Sequence, residues 1–149
     1  LIPKGATICF VIGTIGAGIL GAYLFQISSQ TPTLVYQDGP SLSVIPDKIN
    51  YRMGEPVHIR IINSGTVPLT FSDSSFGLKI RGLDGTIIYS PVASQVVSTL
   101  SPHEEKLFVW NQTKTDGGKI FEGRYKIESN TSPNAGNVIK KSITINIFQ

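Results

Sequence analysis

Val57-His58-Ile59-Arg60-Ile61-Ile62 is the stretch that decides the fold of the larger, C-terminal part of this chain. Val57, Ile59 and Ile61 fall on one side of an extended segment and His58 and Arg60 on the other, the period-two pattern of a half-buried strand. The same pattern recurs further on. Tyr125 and Ile127 alternate with Arg124, Lys126 and Glu128, and Ile143, Ile145 and Ile147 alternate with Thr144 and Asn146. Strands with one apolar face need a second sheet to cover that face, which is the logic of a sandwich. From residue 34 onward no segment keeps a 3.6-residue apolar period for three turns. The pattern predicts strands over 42–45, 57–62, 68–71, 76–81, 86–89, 96–100, 107–111, 123–128 and 138–147. Breakers separate them: Arg52-Met53-Gly54-Glu55-Pro56, Asn63-Ser64-Gly65, Gly82-Leu83-Asp84-Gly85, Ser101-Pro102 and Asp116-Gly117-Gly118. So many short strands in one domain-sized stretch predict an immunoglobulin-like β-sandwich. Trp110 either fills its core or anchors a subunit contact. The last strand is long and apolar on one face, so it is either centrally paired or covered by a neighbour.

Upstream the chain changes character. Residues 6–27 read ATICFVIGTIGAGILGAYLFQI, and no charged side chain separates Lys4 from Asp38. As a helix this run is roughly 33 Å long, enough to cross the ~30 Å hydrocarbon of a bilayer. The expected fold class is therefore an N-terminal hydrophobic α-helix followed by an all-β immunoglobulin-like sandwich. Residues 1–27 form the helix (transmembrane or filament core), 28–41 a neck and 42–149 the sandwich. Pro3 suits a helix start, where a missing N–H costs no internal bond. Gly13, Ala17 and Gly21 recur every four positions, and Thr14, Gly18 and Ala22 form a second row beside them. Such rows let helix backbones approach closely, which predicts packing of helix against helix. The run exceeds the apolar core of a cleavable signal peptide, so it is expected to be retained, with Leu1 following a processing site. Gly16-Ala17-Gly18-Ile19-Leu20-Gly21 spells the dinucleotide-binding G-x-G-x-x-G, but it lies inside the apolar run with no strand before it and no crossover helix after it.

The formal charge is +3, from thirteen basic and ten acidic residues. With Lys4 set apart, twelve basic residues remain in 34–149. They are dispersed along the chain with no basic run beyond Lys140-Lys141, which predicts a mixed solvated surface and no nucleic-acid partner. The one cysteine, Cys9, lies in the apolar run, so the sandwich has no disulfide. Asn111-Gln112-Thr113 and Asn130-Thr131-Ser132 fit the N-glycosylation pattern, making Asn111 and Asn130 candidate acceptors. The chemistry-bearing residues are sparse. His58 and His103 are the only histidines, and with the one cysteine in the apolar run they make no zinc or blue-copper set; a site of the two with Glu104 is the alternative to the expected reading, two solvated histidines. Asp73, among Ser72, Ser74 and Ser75, reads as an Asx-type loop. No nucleophile elbow, phosphate loop or H-E-x-x-H is present. No catalytic residue, metal or cofactor is expected.

Two resemblances accompany these residues. Gly54-Glu55-Pro56-Val57, Ile61-Ile62-Asn63-Ser64-Gly65, Leu69-Thr70-Phe71, Asp84-Gly85, Ile88-Tyr89, Leu100-Ser101-Pro102-His103-Glu104, Trp110 and Gly123-Arg124-Tyr125 together resemble the BsuPI-like domains, small immunoglobulin-like modules named after a proteinase inhibitor. That resemblance implies a fold, and more distantly an inhibitor-like binding role. The short Leu1-Ile2-Pro3-Lys4-Gly5 leader end, running into an apolar segment and then a β domain, is similar to archaeal type IV pilins and archaellum pilin-like proteins. That resemblance implies a structural subunit of a pilus-like filament, its helix in membrane lipid before assembly and packed against copies of itself afterwards. The acidic residue that bacterial pilins carry near the helix start is absent, since Gly5 and Ala6 stand there. The alternative is a membrane-anchored extracytoplasmic module whose sandwich binds a surface-layer, motor or membrane-complex partner or another envelope protein. Each reading places the sandwich at the cell surface.

Overall fold

The computed structural model describes residues Pro32–Gln149. In chain order they form β1 (Leu42–Pro46), β2 (Asn50–Arg52), β3 (Val57–Asn63), β4 (Leu69–Phe71), β5 (Lys79–Gly82), β6 (Ile87–Tyr89), β7 (Ser98–Leu100), β8 (Glu105–Trp110), β9 (Gly123–Asn130) and β10 (Lys140–Phe148). One sheet has the order β1-β3-β8, a second the order β2-β10-β9-β5-β6, and β4 pairs with β7 in a small third sheet. All ladders are antiparallel except β2 on β10. Two multi-stranded sheets closing over one core in this order make an immunoglobulin-like sandwich.

The expected class needs correction. The described residues are all-β, with one 3-10 turn at Pro133–Ala135 and no α-helix. No helix among them is long and apolar enough to cross a membrane. The reason is in their pattern, which alternates with period two and is cut by Gly and Pro every few residues. Residues 6–27, together with the predicted packing positions Gly13, Thr14, Ala17, Gly18, Gly21 and Ala22, lie outside the described residues. Of the predicted neck, 28–41, the described part belongs to the domain. Gln37 N–H donates to Ser64 O and Thr66 N–H to Gly39 O, both at 2.9 Å. Gly65 permits that contact, because a Cβ there would meet Gly39 O at 2.1 Å.

The alternating residues face inward as read. Val57, Ile59 and Ile61 of β3 pack with Ile80, Tyr125, Ile127, Ile145 and Ile147 of the larger sheet in one core. Burying each such side chain contributes about 1.5–3 kcal/mol. Trp110 is buried at the end of β8, its ring 5.8 Å from Tyr125 and 6.2 Å from Tyr89. β10 pairs with β9 from Lys140 to Ile147 and with β2 from Asn146 to Phe148, and Ile145 and Ile147 of its apolar face are buried in the core.

Two strands differ from expectation. Asn50–Arg52 is a strand, although Arg52 opens a breaker, because Tyr51 reaches the core and pairs with Ile147. The strand expected from Phe76 begins only at Lys79. Phe76 and Gly77 have φ of 52° and 66°, a left-handed pair that turns the chain. A Cβ on Gly77 would lie 2.2 Å from the Asn130 backbone oxygen at the end of β9. Gly77→Ala therefore combines a disfavoured φ with a backbone clash. It is expected to destabilise the domain by about 3 kcal/mol, read as a lowered thermal midpoint by circular dichroism.

Candidate functional site

His58 sits near the start of β3, beside Asp47. Its backbone N–H donates to Asp47 Oδ1 at 3.1 Å and its Nδ1 lies 3.7 Å from Asp47 Oδ2. Tyr51 O–H donates to the same Oδ1 at 2.6 Å and accepts from the Lys48 N–H at 2.9 Å. Burial first, and then this donation to Asp47, pushes the Tyr51 phenol well above its ordinary range. Lys48 pairs with Glu55 alongside, and that bond holds the Glu55 carboxyl below its ordinary value. Asp47 thus ties β1, β2 and β3 together, and its lone pairs are used structurally.

His103 lies at the other end of β3, some five residues or roughly 17 Å along the strand. It is a turn residue. Pro102 and His103 form the corner closed by the Glu104 N–H to Ser101 O bond at 3.0 Å, with His103 at φ 67°. A turn with proline second and a positive φ third is type II, which usually places glycine at that third position. His103 N–H then donates to Asn63 O at 2.9 Å and Asn63 N–H donates to Glu104 O at 3.0 Å, the pattern of a G1 bulge. The imidazole stacks on Tyr36 with centroids 4.6 Å apart. The two histidines are therefore not brought together, and Glu104 is committed to the Ser101 N–H at 2.7 Å. Among the described residues no group of three His, Cys, Asp or Glu side chains is placed to hold a metal ion.

That bulge fixes the register of β8. With Asn63 bonded to Glu104, the hydrogen-bonded pairs continue at Ile61 with Lys106 and Ile59 with Phe108. The backbone groups of Glu105, Leu107 and Val109 consequently face away from β3. Leu107 and Val109 are exposed at 57% and 47%. Among the described residues this edge has no partner strand, and an unpaired edge carrying apolar side chains is the kind of surface that pairs with another chain.

On the larger sheet, Glu128 holds an unexpected place. It belongs to the outward face of β9, yet it is 1% exposed. Arg81 of β5 donates from Nε to its Oε1 at 2.5 Å, and Lys140 Nζ lies 3.1 Å from its Oε2. The Lys140 ammonium is the group that faces Oε2, which has no other polar partner among the described residues. Burial pushes the Glu128 carboxyl up, but Arg81 and then Lys140 outweigh it and hold the carboxyl below its ordinary value. Sequence reading took Glu128 for an ordinary solvent-facing residue; the signal that could have found it is its cross-strand placement among Lys79, Arg81 and Lys140.

The two sequons differ in setting. Asn111 is exposed just after β8, and Gln112 beside it, at φ 55°, is buried. The Gln112 amide donates to Arg52 O and Glu55 O and accepts from Gly54 N–H, each at 2.8 Å. Asn130 is half-buried at the end of β9, in register with Lys140. Asp73 accepts from Ser75 N–H at 2.8 Å and Ser75 Oγ at 2.5 Å, an Asx turn that uses the carboxylate locally. A depression of about 310 Å³ lies beside Met53, Gly54, Gln112 and Ile120, and Lys119 is its one charged lining residue. Asn111 and Thr113 also line it, while the Gln112 amide is spent on the backbone of residues 52–55.

No family model matches the sequence, and no curated protein matches it. Among solved structures, the chain is similar to the CARDB domain of a Pyrococcus furiosus protein, determined in complex with di-metal ions. The two share 18% identity with a TM-score of 0.40, over 78% of this chain and 95% of that one.

Proposed function

We propose that this chain is a non-catalytic structural subunit of an extracellular, pilus-like filament, with its β-sandwich on the outside. The observation that carries the reading is the uncharged stretch between Lys4 and Asp38, joined directly to a sandwich domain. A run so apolar has to be sequestered from water, in lipid before assembly and against copies of itself afterwards. The resemblance in organisation to archaeal pilin-like proteins supports the same reading. The β8 edge with Leu107 and Val109, without a partner strand among the described residues, supplies a lateral surface on which neighbouring sandwiches can meet. Negative-stain microscopy of surface material from cells making the chain tests the proposal. Fibres containing many copies related by a screw operator are expected. Material that contains the chain at one copy per membrane complex, with no fibres, overturns it.

A further inference from the structure

The twelve basic residues of 34–149 look evenly scattered in sequence, but the fold does not leave them so. On the larger sheet, Ile80, Tyr125, Ile127, Ile145 and Ile147 point into the core. Their neighbours of opposite parity therefore share the outer face: Lys79 and Arg81 on β5, Arg124 and Lys126 on β9, Lys140 on β10 and Arg52 on β2. The register confirms the grouping, since Arg81 lies opposite Lys126, Lys126 opposite Thr144 and Asn130 opposite Lys140. Six cations thus meet a single carboxylate from the sheet's own strands, Glu128, which is buried and already held by Arg81 and Lys140. The rest of 34–149 carries six cations and nine carboxylates. Lys79, Arg124, Lys126 and Arg52 have no carboxylate within salt-bridge distance among the described residues.

Like charges facing each other across a ladder, as Arg81 and Lys126 do, destabilise a sheet. A face that concentrates them is electrostatically complementary to a polyanion. Its other residues narrow the class. Between the cations lie Ser142, Thr144, Asn146 and Asn50, all hydroxyl or amide side chains, with Asn146 donating to Asn50 at 2.8 Å. The exposed apolar side chains of this face, Ile87 and Phe148, lie on its outermost strands or at a strand end. Among the described residues this face carries no row of aromatic rings for nucleobases to stack on, and no apolar wedge at its centre to enter a bilayer. A lattice of cations, hydroxyls and amides, with charges every second residue or about 6.6 Å along a strand, suits an extended chain of anionic sugars.

We propose that the outer face of the five-stranded sheet binds an acidic polysaccharide, carboxylated or sulfated. The choice of a glycan as occupant rests on the outward placement proposed above. Binding is measured on the full chain dispersed in neutral detergent, so its outcome does not depend on whether fibres form. The titrants are polygalacturonate and dextran sulfate, with neutral dextran, a single-stranded RNA and vesicles containing anionic phospholipid alongside. Both acidic glycans are expected to bind at about 50 mM salt and to weaken about tenfold or more by about 300 mM, as counterion release requires. Neutral dextran is expected not to bind. Arg124→Glu with Lys126→Glu is expected to weaken binding about tenfold or more, whereas Lys114→Glu with Lys119→Glu, on the loop after β8, leaves it within about twofold. Lys79→Gln with Lys126→Gln gives a milder loss in a variant that keeps the sheet's shape, and unchanged far-ultraviolet circular dichroism shows each protein to be folded. The proposal is overturned by no binding to either acidic glycan at low salt, by equal loss in the two glutamate pairs, or by tighter binding to RNA or to the vesicles.

Discussion

Arg81→Met is expected to lower the folding free energy of the domain by about 3 kcal/mol near neutral pH, out of proportion to the exposure of the arginine itself. Glu128 is 1% exposed, and Arg81 supplies the short directed bond to its Oε1. Removing the guanidinium leaves a buried carboxylate facing only Lys140, whose side chain is half in solvent. An orphaned buried charge is costly because it has lost its hydration and its partner together. Lys140→Met is expected to cost about 1 kcal/mol or less, since its side chain is half in solvent and its charge is screened there. The acid dependence follows from the depressed carboxyl. A group whose folded value lies below its ordinary 4.5 contributes stability above that pH and loses it as the pH falls through the folded value. Glu128→Gln removes this contribution, so its thermal midpoint should fall less steeply than the parent's below about pH 4.5. Melts from pH 7 down to about pH 2.5 check both statements. An Arg81→Met protein as stable as the parent at pH 7 would show the cluster to be a surface ornament.

The sandwich was legible in the sequence because its core strands are each defined by their own residues. Val57, Ile59 and Ile61, or Ile143, Ile145 and Ile147, alternate strictly enough that period two leaves no helical reading. β2 was not legible, because Tyr51 stands alone between Asn50 and Arg52 and its partner on β10 is Ile147, at the far end of the chain. The turn at Phe76 and Gly77 was hidden for a similar reason. Phe76 and Leu78 look like strand residues, and only the approach of Asn130 to Gly77 explains the left-handed pair. The basic face is the clearest case of what local reading misses. Its cations run from Arg52 to Lys140 and no two are adjacent, so the sequence shows a dispersed charge; the strand order β2-β10-β9-β5 gathers them. Glu128 disappears from view by the same mechanism, since its neighbours in space come from two other strands.

Trp110→Ala should be the most damaging single change in the core, at about 3–5 kcal/mol. Trp110 is 1% exposed and closes β8 opposite Val57 of β3, so it fills space between the two sheets where they meet Tyr89 and Tyr125. Truncation removes its contacts with both tyrosine rings and leaves a cavity that the paired sheets cannot collapse into. It also deletes the indole N–H bond to Thr113 O at 2.8 Å, which anchors the start of the loop after β8. Trp110→Phe separates these effects: it keeps an aromatic ring in the core but leaves the Thr113 carbonyl without that donor, for an expected cost of about 1–2 kcal/mol. Because Trp110 is the only tryptophan, denaturant titrations of the variants are followed by far-ultraviolet circular dichroism rather than by fluorescence. In the parent its emission reports a dry site and should shift to the red only on global unfolding. If Trp110→Ala unfolds at the parent's denaturant midpoint, the ring instead serves a contact outside the domain, the second role its sequence position allowed. The measured order Ala, Phe, parent in rising stability is the result expected of a core residue that also holds a loop.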